Sequence, residues 1–553
     1  LVFEKDLSGD LEGSNPAPLR LLADLTEEGQ RVLVAQGGRG GRGGRGGGDA
    51  STPVFPTSDA VIKRIWSLGM DSSQVWSLSQ VMSDSLGPRL HGSPGIKNSH
   101  DWIVGMYTRW GISAKNEPYG TWMGWKRGIS YAYLTKPRLR VLEGTALAMS
   151  APTKGEVTGG VIVMPDVANA AAFQQWLPTT RGKFVALSFA QPTCRPEEEW
   201  QTTAMPDTYE RMVAERTAAQ GAFNERFAKA GFAGPSARER LRPLADALAG
   251  AGAAGVLVGQ WQRGWGVDVI SQSFSEKIAV LNLSCEDYGL VFRLAERNQG
   301  PEVRARVDAE YQGDVPIYNT IATIPGEKAD EYVLLSAHFD SWDGASGSTD
   351  NGTGTVTMLE AMRILKAAYP RPKRTIIVGH WSGEEWGLNG SRAWAEDHPE
   401  VVRGLHAQIN QDNGTGRIVN FSGAGLTSSA SYIGNWFARL PALFMSQVNL
   451  NFPGTPATGG TDNASFDCYG APGFSLGSLG WSYGTYTHHT QRDSFDKIVF
   501  DELKQNATLA ATLAYLAAED PVFMPRDKRV MPGGGGGAPG EWQGCVKPLR
   551  KWG

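Results

Sequence analysis

Five clusters gather side chains that bind metal ions or move protons. They are His338-Phe339-Asp340, Ser348-Thr349-Asp350-Asn351-Gly352, Ser382-Gly383-Glu384-Glu385, Gln411-Asp412-Asn413-Gly414 and Thr487-His488-His489-Thr490-Gln491-Arg492-Asp493. Imidazoles and carboxylates are ligands for a divalent ion such as zinc, and a spare carboxylate beside them can serve as a base. In an extended segment residues i and i+2 share a face, so Asp340 can accept the second ring N–H of His338 and fix its tautomer. Each cluster alone has a plainer reading. His-x-Asp is a surface or capping pair, adjacent glutamates lie on a solvated face, Asp-Asn-Gly is a turn, and a His-His pair is incidental. Their joint occurrence is harder to explain that way, because the chain has only 8 histidines and three of them fall in these clusters.

The clusters follow elements that can position them. Residues 332–337, 375–381 and 406–410 are strand-like apolar runs separated by helical stretches. Val356, Leu359, Met362 and Leu365 share one helical stripe, and Leu503, Leu509, Leu513 and Leu516 another. Strands alternating with helices predict an α/β fold, a mostly parallel sheet covered on both faces. Such sheets bind ligands beyond the carboxyl ends of their strands, which is where the clusters lie. Upstream, 59–68 and 75–83 read as helices, and 87–94 is a turn-rich connection. Between 147 and 307, short Val/Ile-rich runs at 160–164, 183–187, 255–258, 279–283 and 303–311 read as a small β-rich module. The stretch 197–249 interrupts it and reads as one or two surface helices.

The chain has 553 residues, 41% hydrophobic and 20% charged, a length suited to about two to four domains. Its net charge of -4 argues against a nucleic-acid binder or a polybasic membrane-surface protein. No run of about 18 apolar residues is present, so no spanning helix is expected. Cys194, Cys285, Cys468 and Cys545 are too scattered for a CxxC metal site and leave room for one or two disulfides. A first residue of Leu1 reads as a processed or trimmed chain, compatible with a removed secretory signal. In 37–48 only Arg39, Arg42 and Arg45 interrupt glycine, so a flexible linker or insertion is expected, as for the glycine run at 533–537. Repeated Arg-Gly-Gly also occurs in RNA-binding tails, but so few arginines weigh toward the linker.

The clusters, extended to His338-Phe339-Asp340-Ser341-Trp342-Asp343 and Trp381-Ser382-Gly383-Glu384-Glu385, stand in the order of the co-catalytic di-zinc exopeptidases. The chain resembles that family over 58–520. The family includes bacterial aminopeptidases and glutamate carboxypeptidase, and the likeness is greatest to its carboxypeptidase Q members. Residues 87–93 resemble the Gly-Pro-Arg-Leu-x-Gly-Ser segment that opens the catalytic domain there, and the β-rich module resembles an inserted protease-associated domain. The implied layout is an N-terminal segment at 1–57, a catalytic domain at 58–143 and 312–522, and an insert at 144–311 with a helical insertion near 197–249. A glycine-rich tail at 523–553 follows.

The resemblance makes Asp350 the carboxylate bridging two zinc ions. His338 and Asp412 complete one site, Glu385 and His489 the other, each with an open position for water. Glu384 becomes the general base, acting on a hydroxide-forming water between the ions. Neighbouring residues of non-helical chain point apart, so Glu385 can bind metal while Glu384 faces that water. Asp340 and Asp493 are expected to support the ligands, and His488, Tyr483 and Tyr486 are candidate oxyanion donors. The implied substrates are dipeptides or peptide N-termini, the implied location secreted or periplasmic, and a homodimer stays open. A receptor-like binding protein on the same scaffold is the alternative, against which all five ligand positions keep the required residue type. One departure stands in the pocket loop, where relatives carry Ser-Asp-His and this chain has Thr461-Asp462-Asn463; Asp462 reads as shaping the loop. The sequons at Asn351, Asn413 and Asn463 read as turn residues rather than glycan acceptors.

Overall fold

The computed structural model describes residues 57–531 and 542–553, together with two short paired strands, Val2–Lys5 and Leu19–Ala23. The glycine-rich runs at 37–48 and 533–537 lie outside the described residues. Leu1–Val54 and Phe55–Gly553 form separate units, and every cluster lies in the second.

Helices Ala60–Trp66 and Val75–Gln80 form where the apolar spacing predicts, the first capped by Asp59, which accepts from the amides of Val61 and Ile62. β1 (Ser113–Lys136) leads into the module. The module contains four parallel strands, β2 (Val157–Val163), β3 (Phe184–Ala186), β4 (Gly255–Val258) and β5 (Val280–Leu283). β6 (Glu302–Ile324) then returns antiparallel to β1. Two features differ from the sequence expectation. The module is α/β rather than β-rich, since helices lie between its strands, and 197–249 folds as three helices, Glu197–Thr203, Pro206–Lys229 and α1 (Ala237–Ala251). In addition, β6 does not stop at 311 but runs on to Ile324. Neither it nor β1 is a clear apolar run there, because both are half-exposed and take their hydrogen bonds from each other across a long stretch of sequence.

The sheet that carries the clusters includes β7 (Lys328–His338), β8 (Arg374–Trp381), β9 (Leu405–Gln411), β10 (Ile418–Ser422) and β11 (Gly473–Ser478). Their order is β10-β11-β9-β7-β8-β6, with β11, β9, β7 and β8 parallel, β10 and β6 antiparallel to this group, and the short strand Asn449–Asn451 parallel to β10 on its outer side. The sheet is therefore mixed and mostly parallel, as expected. Alternation along β7 sends Val333, Leu335 and Ala337 into one core and Leu334 into the other. The first core is closed by α2 (Thr353–Ala368) and α4, whose range is Phe500–Glu519; the second includes Trp394 of α3 (Asn389–Asp397). The stripes Val356/Leu359/Met362/Leu365 and Leu503/Leu509/Leu513/Leu516 are buried, each such side chain contributing about 1.5–3 kcal/mol. The two disulfides are Cys194–Cys285 and Cys468–Cys545.

Candidate metal centre

The parallel strands deliver the clusters to one edge of the sheet. β7 ends on His338, β8 runs into Ser382–Glu385, β9 into Asp412, and the loop after β11 carries His488 and His489. Asp350 lies in the kinked turn Ser348–Gly352 before α2, with extended φ -125° and ψ 93°.

Three fixtures hold these loops. Buried Arg89 donates to the carbonyls of Phe339 (2.7 Å), Gly347 (2.7 Å), Ser346 (2.8 Å) and Gly87 (3.2 Å), clamping the chain between His338 and Asp350. Burial lowers its pKa to about 10, with Asp493, Asp340 and Asp350 opposing, so it stays charged. Asp493 accepts from the amides of Thr349 (2.7 Å) and Asp350 (3.0 Å). Asp340 accepts from the amides of Glu384 (3.1 Å) and Glu385 (3.4 Å). This corrects the expected His338–Asp340 pair. The ring nitrogen Nδ1 of His338 meets the Asp340 main-chain carbonyl at 3.0 Å, and the nearest carboxylate oxygen is 3.7 Å away. The chain turns after β7, so the carbonyl reaches the imidazole first and the side chain is left for the Glu384–Glu385 amides. The tautomer is still fixed, with Nε2 left for the site.

Asp350 is shared between two groups. Its Oδ1 lies 3.4 Å from His338 Nε2, which is 3.2 Å from Asp412 Oδ1. Its Oδ2 lies 3.1 Å from His489 Nε2, which is 2.8 Å from Glu385 Oε2. Both His338/Asp350/Asp412 and Asp350/His488/His489 bring their ligand atoms within 4.8 Å of one another, close enough to hold a metal ion. The residues fit such an ion in two further ways. Asp350 Oδ2 and Glu385 Oε1 are buried without a hydrogen bond. The electrostatics also show an excess of buried negative charge. Burial raises Glu385 to about 7, with Asp350 adding to the rise. Burial likewise pushes Glu384 well above the usual carboxylate range, with Asp412 and Asp462 adding and His338 opposing. His489 is pushed up to about 11, since Glu385 and Asp350 outweigh its burial. Burial opposes ionisation of Asp350, yet His338 and His489 hold it well below its ordinary value. Cations between these carboxylates would relieve the mutual repulsion.

Local backbone reflects these placements. Gly383 has φ +81°, and a Cβ there would sit 2.7 Å from the Tyr119 hydroxyl, so the Ser-Gly-Glu-Glu turn needs glycine. His489 is left-handed at φ 54°, an uncommon conformation held at the site. Asn351 accepts from the Gly354 amide (3.1 Å) and donates to the Gln411 carbonyl (2.9 Å), tying α2 to β9. Asn351 and Asn463 are buried, in keeping with turn residues.

Of the other sequence candidates, His488 stacks on His489 with ring centroids 3.9 Å apart, and Tyr483 lies 5.0 Å from the His488 ring. The ring of Tyr486 sits instead against Gly264 of the inserted module. Asp462 is fully buried and raised to about 7 by burial, with Asp412 and Asp340 adding and His338 opposing, which puts it in the electrostatic field of the site. Sequence reasoning gave Arg89 no role and passed over Trp122, Trp386 and Trp552 near the site. A signal existed only for Arg89, inside the Gly-Pro-Arg-Leu segment.

Residues 319–514, which hold the mostly parallel sheet and its ligand-bearing edge, match Peptidase family M28. The chain is similar to carboxypeptidase Q of Rattus norvegicus, 25% identical over 448 residues, which cover 81% of this chain and 85% of the relative. Leucine aminopeptidase 1 of Coccidioides posadasii (strain C735) is 31% identical over 215 residues, 36% of this chain and 55% of that one. Among solved structures, a Peptidase M28 precursor from Shewanella amazonensis SB2B shares the fold with TM-score 0.62 at 24% identity, covering 86% of this chain and 98% of that chain. BSAP, a zinc aminopeptidase from Bacillus subtilis, gives TM-score 0.50 at 18% identity, covering 82% and 96%. Among the described residues no helix is long and apolar enough to cross a membrane.

Proposed function

We propose that this chain is a zinc-dependent exopeptidase that hydrolyses dipeptides or removes residues from peptide N-termini. The observation that carries the reading is Asp350, whose two oxygens face two imidazoles, each with a further carboxylate, Asp412 or Glu385, in reach. His338, Asp350 and Asp412 would hold one zinc ion, and Asp350, Glu385 and His489 a second. Zinc bound there would polarise the scissile carbonyl and acidify a water. Glu384, its amide fixed by Asp340, takes the proton of the attacking water and delivers it to the leaving amine. His488 and the Tyr483 hydroxyl donate to the developing oxyanion. The module at 144–311 is read as a protease-associated domain that narrows access to the site. Secretion or export to the periplasm is supported by the two disulfides, which persist in oxidising compartments.

The test replaces Glu384 by Gln and assays dipeptides, N-terminally blocked peptides and aminoacyl amides. Hydrolysis should fall by about 10²–10⁴-fold while zinc content per chain is kept. Turnover at the wild-type rate would refute the assignment.

A further inference from the structure

We propose that residues 546–553 complete the substrate pocket, with Trp552 as an apolar wall that selects substrates carrying a large apolar side chain. The proposal rests on the exopeptidase reading above.

The segment is strapped to the elements that carry the site. Cys545 is bonded to Cys468, just beyond the loop of Thr461-Asp462-Asn463. The Leu549 amide donates to Asn389 Oδ1 (2.8 Å) at the start of α3, directly after the Glu384–Glu385 loop. Arg550 pairs with Asp397 (2.8 and 2.9 Å) and Glu396 (3.2 Å) on α3, and its carbonyl accepts from the Thr121 amide of β1 at 2.8 Å. This close approach depends on Gly120, where a Cβ would lie 2.1 Å from the Arg550 carbonyl oxygen.

The strap delivers Trp552, half-buried, between Trp122 (ring centroids 5.2 Å apart) and Trp386 (5.3 Å). Trp386 follows Glu385 in sequence and meets Trp342 at 5.1 Å, and Trp342 lies 6.1 Å from the His489 ring. An aromatic surface thus runs unbroken from the strap to a candidate metal ligand. Its four tryptophans line a cleft of about 710 Å³ together with Arg238 and Leu241 of α1 and with Glu385. That volume lies within the ordinary range of small-molecule sites. Trp552 borders this space without filling it, so the strap shapes the pocket instead of plugging it. A large apolar side chain beside the scissile bond gains contact with these rings that a methyl group cannot reach.

The experiment measures kcat/KM of the zinc-loaded full chain for Phe-, Leu- and Ala-amides, with zinc content and thermal melting as controls. Trp552→Ala should lower the Phe-to-Ala ratio about tenfold, chiefly through KM, while Trp552→Phe keeps most of the preference. Gly120→Val, which displaces the strap but leaves Trp552 in the chain, should lower the ratio in the same direction. The proposal is overturned if the ratio in both Trp552→Ala and a chain lacking 546–553 stays within about twofold of wild type. It is equally overturned if Trp552→Ala loses zinc and all substrates suffer alike, because the residue would then only brace Trp386 and Glu385. A wild-type chain that binds zinc but hydrolyses none of the amides or dipeptides would sink the exopeptidase reading, and this proposal with it.

Discussion

The amides of Thr349 and Asp350 point at one carboxylate, that of Asp493, and this bond aims Asp350 between His338 and His489. Asp493→Ala should therefore weaken zinc binding by about 10–100-fold, measured by competition with a chelator. Unchanged affinity would mean that the turn holds itself. Arg89 gives a stability test of the same kind. Arg89→Ala leaves four carbonyls without their donor, two of them at 2.7 Å, and should cost about 3 kcal/mol or more in denaturant unfolding. A loss below about 1 kcal/mol would show that water replaces the guanidinium. The ligand-type residues were legible in the sequence because few side chains bind a divalent ion and they recur at strand ends. The work of Arg89 was not, since a buried arginine and a surface arginine look alike in one sequence. The i, i+2 rule placed Asp340 on the correct side of His338 but could not foresee that its carbonyl would take the imidazole.

At the scale of elements, α3 is capped at its C-terminus by His398, whose Nε2 meets Glu117 of β1 at 3.1 Å. The hydrogen bond that His398 donates to Glu117 raises the imidazole above 6.5, burial opposing. Burial pushes Glu117 up, but His398 and Lys115 hold it below 4.5. A raised imidazole contributes stability that is present below 6.5 and lost as pH rises through the folded value; a depressed carboxylate contributes stability present above 4.5 and lost as pH falls through its folded value. The pair therefore stabilises most between pH 4.5 and 6.5. His398→Gln should lower stability by about 1 kcal/mol or less at pH 5.5 and leave it unchanged at pH 9 in thermal melts. An equal loss at both pH values would assign the effect to packing. The strands carrying the site were legible because burial on both faces makes them continuous apolar runs. The long β1–β6 pair was not, because its pairing joins residues far apart in sequence and its exposed faces carry charge and glycine.

At the scale of the whole molecule, the cleft is lined by α1 of the inserted module together with Trp386, Trp552 and Glu385, residues distant in sequence. No periodicity or motif marks how residues 546–553 pack; the Cys468–Cys545 bond and the contacts of Leu549, Arg550 and Trp552 appear only in the folded chain. The sequence boundary at 311/312 falls inside β6, which ties module and catalytic sheet through one strand. Serine at Cys194 and Cys285, which closes a loop of 91 residues, should cost about 2–4 kcal/mol, read from denaturant midpoints against the wild type. No change would show that the module's core holds without that bond. The most direct test of the account is zinc titration by calorimetry of the chelator-stripped chain, with Asp350→Ala alongside. The wild-type chain should take up two zinc ions, with both binding events weakened in the variant. A single ion per chain, or affinities indifferent to the loss of Asp350, would contradict it.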